Sequence, residues 1–176
     1  MQHNYQEYIQ TVEDFPIKGV KFSDIAPLIG NGAVFRSLIQ DIAELVDPDV
    51  TKIAAFDARG FVFGSALAYE TGKGLVMLRK PGKLPGTTVS AAFELEYGNA
   101  ELEVQEKALG PDDRVLLIDD VIATGGTALA GIDLVRRSGA GVSKFMGVID
   151  LEELGGSERI RQAGVEVQSM IRITGN

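Results

Sequence analysis

The run Asp119-Asp120-Val121-Ile122-Ala123-Thr124-Gly125-Gly126-Thr127 sets two adjacent carboxylates just ahead of a turn rich in Thr and Gly. Glycines let the backbone fold tightly there and approach a ligand closely. The backbone N–H groups of Ala123, Thr124, Gly125, Gly126 and Thr127, two Thr hydroxyls and the start of a following helix converge on one place. That arrangement favours phosphate. Asp119 and Asp120 cannot also want phosphate, because like charges repel. They suit hydroxyl groups, which donate hydrogen bonds, or a divalent cation. A phosphate cup beside two carboxylates is the shape of a ribose 5-phosphate site. The plain alternative is an ordinary βα turn whose acids face a helix N-terminus. No Gly-Lys-Ser/Thr follows, so the loop is not a Walker A loop, and it lacks the spaced glycines and downstream acid of a dinucleotide fold.

A second loop offers similar chemistry. Asp57-Ala58-Arg59-Gly60 follows a short apolar run directly, and Arg59 with free N–H groups could hold another anion. Alternatively, Arg59 closes a helix-start salt bridge with Asp57. A third stretch, Arg79-Lys80-Pro81-Gly82-Lys83-Leu84-Pro85-Gly86, is basic and barred from regular structure by its Pro and Gly residues. It reads as a solvated linker or as a lid, and a basic lid suits a polyanionic substrate. Glu96 reads on its own as an exposed hairpin acid, and Phe22, an aromatic in an extended loop, as a core plug. The single histidine, His3, lies near the chain start and reads as solvated.

These loops need a scaffold that brings them to one edge. Val115-Leu116-Leu117-Ile118 reads as a buried strand ending at the two carboxylates, and Leu129, Ile132, Leu134 and Val135 mark the helix after the turn. Lys52 to Phe56, Leu75 to Arg79, Phe145 to Ile149 and Val165 to Ile173 read as further strands. Helices are expected over 61–69 and 158–162, and another, capped by Asn31, carries Phe35, Leu38, Ile39, Ile42, Leu45 and Val46 on one face. Residues 1–14 are expected to form an amphipathic helix through Tyr5, Tyr8, Ile9 and Val12, and the two prolines of 15–28 exclude a continuous helix there. Residues 87–105 read as antiparallel strands with a Gly98-Asn99 turn. Strands alternating with helices imply an α/β fold: a doubly wound, mostly parallel sheet flanked by helices, with an antiparallel hairpin as an elaboration. In such sheets ligands collect beyond the carboxyl ends of the strands, so the two anion loops would face each other across one crevice.

The chain has 176 residues, the length of one domain. Its formal charge of −8 disfavours a nucleic-acid partner. It has no cysteine, which excludes disulfides and Cys-based metal sites. No apolar run is long enough to span a bilayer and no signal peptide is evident, so the expectation is a cytoplasmic protein without a membrane partner.

In register along most of the chain stand Phe15-Pro16, Gly19-Val20-Lys21-Phe22, Asp57-Ala58-Arg59-Gly60-Phe61, the basic run 79–85, Leu95-Glu96-Tyr97-Gly98 and the 119–127 motif. This set resembles the type I phosphoribosyltransferases, and among them the adenine-using branch. The resemblance implies transfer of the 5-phosphoribosyl group from phosphoribosyl diphosphate (PRPP) to adenine, giving AMP and diphosphate in purine salvage. It implies Mg²⁺ held mainly through PRPP rather than directly by the protein, and a homodimer. It implies one phosphoribosyltransferase domain over 1–176, with a base-binding hood at about 1–30 and a flexible lid at about 80–95. Ala123 to Thr127 would hold the 5-phosphate, and Asp119 and Asp120 the ribose hydroxyls. Asp57, Ala58 and Arg59 would bind the diphosphate, with Arg79, Lys80 and Lys83 drawn toward it. Val20, Lys21 and Phe22 would line the adenine slot, with Phe22 stacking, and Glu96 would be the general base. Arg59, Asp119, Asp120 and Glu96 form the implied catalytic set. One departure is Ser23, where many relatives carry Arg. Two other readings remain: a phosphoribosyltransferase for another base, and a non-catalytic sensor of PRPP or nucleotides. The acidic charge and short N-terminal segment weigh against the sensor with a DNA-binding appendage.

Overall fold

A computed structural model describes residues 3–94 and 99–175. At its centre is a five-stranded parallel sheet in the order β4-β3-β7-β8-β9. These strands are β3 (Lys52–Phe56), β4 (Gly74–Leu78), β7 (Arg114–Ile122), β8 (Gly141–Leu151) and β9 (Glu166–Ile173). Two small antiparallel pairs flank it: β1 (Gln10–Val12) with β2 (Phe22–Asp24), and β5 (Thr88–Glu94) with β6 (Asn99–Gln105). Among the described residues there are five α-helices: α1 (Ala26–Gly30), α2 (Gly32–Ala43), α3 (Gly60–Thr71), α4 (Gly126–Arg137) and α5 (Gly156–Gln162).

The central strands read as unbroken apolar runs because both of their faces are covered. Along β3 and β7, residues alternate between two cores. Ile53, Ala55, Leu116 and Ile118 pack with Phe63 and Leu67 of α3 and Leu38 and Ile42 of α2. Ala54, Phe56, Val115 and Leu117 pack with Leu134 and Val135 of α4 and with Leu102 and Val104 of β6. This is the expected doubly wound α/β arrangement, with the hairpin roofing one helix layer. Asn31 caps α2 as expected, its side chain accepting from the Val34 N–H at 3.3 Å.

The amino-terminal segment departs from expectation. Residues 1–14 do not form one amphipathic helix. A short 3₁₀ turn (Tyr5–Tyr8) gives way to β1, which pairs with β2. Tyr5 is buried, and its hydroxyl lies 2.5 Å from Asp41 Oδ2 and 3.1 Å from Ser37 Oγ on α2. Burial, followed by the bond to Asp41, pushes the Tyr5 phenol up to about 12. A long-range polar clasp and a strand pairing thus override the local helical spacing, neither of which periodicity can encode. A one-turn helix, α1, also forms where only loop was expected, with Pro27 in its first turn, the position that tolerates proline. Among the described residues, no helix is long and apolar enough to cross a membrane.

Candidate active site

β3 and β7 are neighbours, so the loops that follow them emerge side by side at the sheet's carboxyl edge. β7 runs farther than expected. It continues through Asp119 and Asp120 to Ile122, so the two acids belong to the strand itself. Consecutive strand residues point in different directions. The pair is accordingly divided in its tasks. Asp119 lines a cavity of about 70 Å³ together with Ala123, Thr124, Gly125, Gly126 and Thr127. Asp120 meets Arg59, whose Nε lies 2.8 Å from Asp120 Oδ2.

The Thr- and Gly-rich turn forms the cavity wall. Gly125 holds a left-handed φ of +83°, and α4 begins immediately after it. The loop thereby turns back on itself and aims the N-terminus of a twelve-residue helix at the cavity. A wider cleft of about 470 Å³ beside His3 and Arg172 lies at the β9 edge and shares none of these residues.

Electrostatics mark the acids as poised for a ligand. Burial, and after it the neighbouring Asp120 charge, push the Asp119 carboxyl well above the usual range. Asp119 Oδ1 accepts from the Asp120 backbone N–H at 2.9 Å. Asp120 is also raised: its burial outweighs the opposing pull of Arg59. Two adjacent carboxylates with raised proton affinity favour a partner that brings hydrogen-bond donors or positive charge.

Gly60 explains how α3 comes so close to the acids. A Cβ there would sit 2.8 Å from Asp119 Oδ1 and 3.2 Å from the Ile118 carbonyl oxygen. Only glycine lets the 57–60 loop lie against β7. The helix-start salt bridge weighed for Arg59 and Asp57 does not form. Asp57 instead takes Arg79, Nε to Oδ2 at 3.0 Å, and Arg59 is free to reach across to Asp120. The Asp57–Ala58 peptide bond is cis.

Arg59 also ties the acids to the amino-terminal segment. Its guanidinium stands 4.7 Å from the centre of the Phe22 ring. Phe22 is not the core plug that composition suggested. It is half-buried, lies in β2 and belongs to neither core. Its ring meets Phe15 edge-on, with centroids 5.0 Å apart. Val20 and Lys21 stand exposed beside it, and Ser23 is half-buried in β2. Sequence reasoning missed Phe15 as the support for this ring. Its signal was the Phe-Pro dipeptide, noted only as a family feature.

The basic run is anchored at its start. Arg79 donates to the Lys83 carbonyl at 3.2 Å, pairs its backbone with Glu103 of β6, and lies 5.6 Å from the Phe61 ring. The Gly82 N–H donates to Glu103 Oε2 at 3.1 Å, and Gln105 Nε2 donates to the Pro85 carbonyl at 3.1 Å. Lys80 and Lys83 are exposed on this loop. The expected hairpin is present as β5 and β6, but Glu96 and the Gly98 half of the expected turn lie outside the described residues.

Magnesium fits the donor set in a limited sense. Asp119 and Asp120 offer hard oxygen atoms at the site, and among the described residues no group of three or more His, Cys, Asp or Glu gathers into a cage. Such a site suits an ion that keeps most of its water and substrate ligands.

With this geometry in view, comparison with known proteins is specific. Residues 31–167 match the phosphoribosyl transferase domain family. The chain is 47% identical to the adenine phosphoribosyltransferase of Paracidovorax citrulli over 176 residues, covering 97% of this chain and 95% of that protein. It is similar to the crystal structure of adenine phosphoribosyltransferase from Thermoanaerobacter pseudethanolicus, with a TM-score of 0.91 and 39% identity, covering 96% of this chain and 98% of the other. The APRTase of Giardia lamblia, solved with 9-deazaadenine, gives a TM-score of 0.92 at 36% identity, covering 98% and 97%.

Proposed function

The chain belongs to the phosphoribosyl transferase family, among its adenine phosphoribosyltransferases, and on that premise we propose how its residues divide the reaction. The enzyme transfers the 5-phosphoribosyl group from PRPP to adenine, releasing AMP and diphosphate, a step of purine salvage.

The observation that carries the residue assignment is the position of Arg59 between Phe22 and Asp120, beside the 123–127 cup. These contacts connect an aromatic ring, a cation and a carboxylate pair to the turn, and they support a reading in the order base, ribose, phosphate. Ala123 to Thr127 receive the 5-phosphate, and Asp119 and Asp120 accept hydrogen bonds from the ribose hydroxyls. Asp57, Ala58 and Arg59 hold the diphosphate, assisted by Arg79, Lys80 and Lys83. Adenine stacks on Phe22, with Val20 and Lys21 at its edge. Glu96 takes the purine ring proton as N9 attacks the anomeric carbon opposite the departing diphosphate. Positive charge builds on the ribosyl carbon as the bond to diphosphate breaks. Carboxylates beside the ribose and cations beside the leaving group therefore stabilise the transition state more than the ground state. Held mainly through PRPP, Mg²⁺ would supply neutralising charge to the diphosphate, while Asp119 and Asp120 keep the ribose hydroxyls.

The remaining assignments are part of the same reading. Residues 1–30 serve as the base-binding hood, and 80–95 as a lid that opens by breaking the contacts of Gly82 and Pro85 with β6. The enzyme works in the cytoplasm as a homodimer. Val62 and Tyr69 on α3, with Leu75 and Met77 on the edge strand β4, leave exposed apolar side chains that a second copy would cover. One assay tests the function directly. Protein, Mg²⁺ and PRPP are mixed with adenine, hypoxanthine, guanine, xanthine, uracil or orotate. Adenine should lead in kcat/KM. A lead of about tenfold for any other base would overturn the base assignment, and PRPP binding without product would mark a sensor.

A further inference from the structure

The phosphate cup has a back wall, built from a part of the chain that no site assignment includes. The 123–126 turn rests on the start of α5. A Cβ on Gly125 would sit 2.9 Å from the Gly156 carbonyl oxygen, and one on Gly156 would sit 2.2 Å from the Ala123 carbonyl oxygen. At that spacing the turn can stand only where the start of α5 allows. α5 also grips the turn directly. Arg159 Nη1 donates to the Thr124 carbonyl at 2.7 Å, a charge-assisted bond to a residue of the cup. α5 is fixed in turn to the sheet. The Ser157 hydroxyl donates to Asp150 Oδ2 on β8 at 2.5 Å, and both residues are buried. The other Asp150 oxygen is buried without a hydrogen-bond partner among the described residues. Loss of the Ser157 hydroxyl therefore strips a buried carboxylate and releases the helix start.

Resting on the reading that 123–127 binds the 5-phosphate, we propose that Asp150, Ser157 and Arg159 are positioning residues that set the phosphate affinity of the cup from behind. The cup's power lies in N–H groups aimed at one point. Carbonyls that face away from the ligand decide that aim, and Arg159 holds one of them. Oxygen atoms of Thr124 and Ala123 are where α5 acts, so the effect belongs to the phosphate end of the nucleotide and not to its base.

The test compares AMP with adenosine, which lacks the phosphate, by calorimetric binding to the full-length protein. The variants are Arg159→Met, Arg159→Lys and Ser157→Ala, with Thr127→Ala as a substitution inside the cup. Arg159→Met and Ser157→Ala should each weaken AMP by about five- to twentyfold with adenosine changed by less than about twofold, and Arg159→Lys should recover most of the loss. PRPP KM should rise in parallel while adenine KM stays put. Equal weakening of AMP and adenosine, or no change in AMP, would overturn the positioning role while a Thr127→Ala effect leaves the cup assignment standing. If Thr127→Ala also leaves the AMP preference intact, the cup assignment itself falls, and this proposal with it. Should Ser157→Ala not fold, the Arg159 pair decides alone, since its side chain is exposed enough to leave the core untouched.

Discussion

Arg59 Nε lies 2.8 Å from Asp120 Oδ2, a contact that joins the loop after β3 to the end of β7. The same guanidinium covers Phe22 of β2. Three parts of the chain, distant in sequence, thus share one cation. Arg59 faces a buried acid, and in the proposed reaction the diphosphate of PRPP would compete for it.

Replacement of Arg59 by Met should therefore damage both substrates. Loss of a cation at the leaving group should cost about 100-fold in kcat/KM, about 2.7 kcal/mol of transition-state stabilisation. Adenine KM should rise too, since Phe22 loses its neighbour. Steady-state kinetics with each substrate varied in turn checks this; a change confined to PRPP would separate Arg59 from the base slot.

Asp119→Asn should stabilise the ligand-free protein while impairing PRPP use. Unfolded, Asp119 titrates at about 3.9; folded, burial and Asp120 hold its proton to higher pH. Between those values the native state binds more protons, so stability from this group falls as pH rises through the window. Asn removes that loss and keeps the oxygen that accepts from the Asp120 N–H. The variant should match the parent below about pH 4, gain as pH rises from there to the folded value and then level off, by about 2–4 °C in Tm for each kcal/mol. Asp47, held low by Ser143 above all, acts with the opposite sign, losing stability only as pH falls below about 4. Thermal melts across pH check the sign.

Gly60→Ala brings a methyl group to 2.8 Å from Asp119 Oδ1, beside a backbone carbonyl that cannot yield. Destabilisation of about 1–3 kcal/mol and a raised PRPP KM are expected. Gly30→Ala, which meets nothing within 4 Å, is the control and should be neutral or slightly stabilising. Denaturant titrations of both variants provide the comparison.

Phe22→Ala removes the stacking surface and the partner of Phe15. Adenine KM should rise about tenfold, the upper range for an aromatic contact, with PRPP KM nearly unchanged. Phe22→Tyr should retain most activity. An equal rise in both KM values would show that the ring acts by supporting the loop.

Glu96→Gln tests the proposed proton acceptor, which lies outside the described residues. kcat should fall by about 100-fold with little change in PRPP KM. An unchanged kcat would leave Glu96 a surface acid.

Local order alone determined much of this molecule. Val115 to Ile118 had to be a covered strand because four branched apolar residues in a row suit both faces of a parallel sheet. The Thr- and Gly-rich run before a periodic helix had to form a tight turn at the strand end, so the 123–127 turn was legible from residue types. What only the tertiary structure decided is which charges meet. Asp57 and Arg59 are two residues apart, yet each takes a distant partner, Arg79 and Asp120. Asp119 and Asp120 look alike in the chain, but strand geometry sends one to the cup and the other to Arg59. Tyr5 left its helical spacing for Asp41, and the Gly156 start of α5 packs against the back of the 123–125 turn. Short-range spacing encodes turns and faces, because those depend on backbone dihedrals and neighbours in the chain. Ion pairs and back-to-back loops depend on how the sheet orders its strands, and that is a sum over contacts no local window contains.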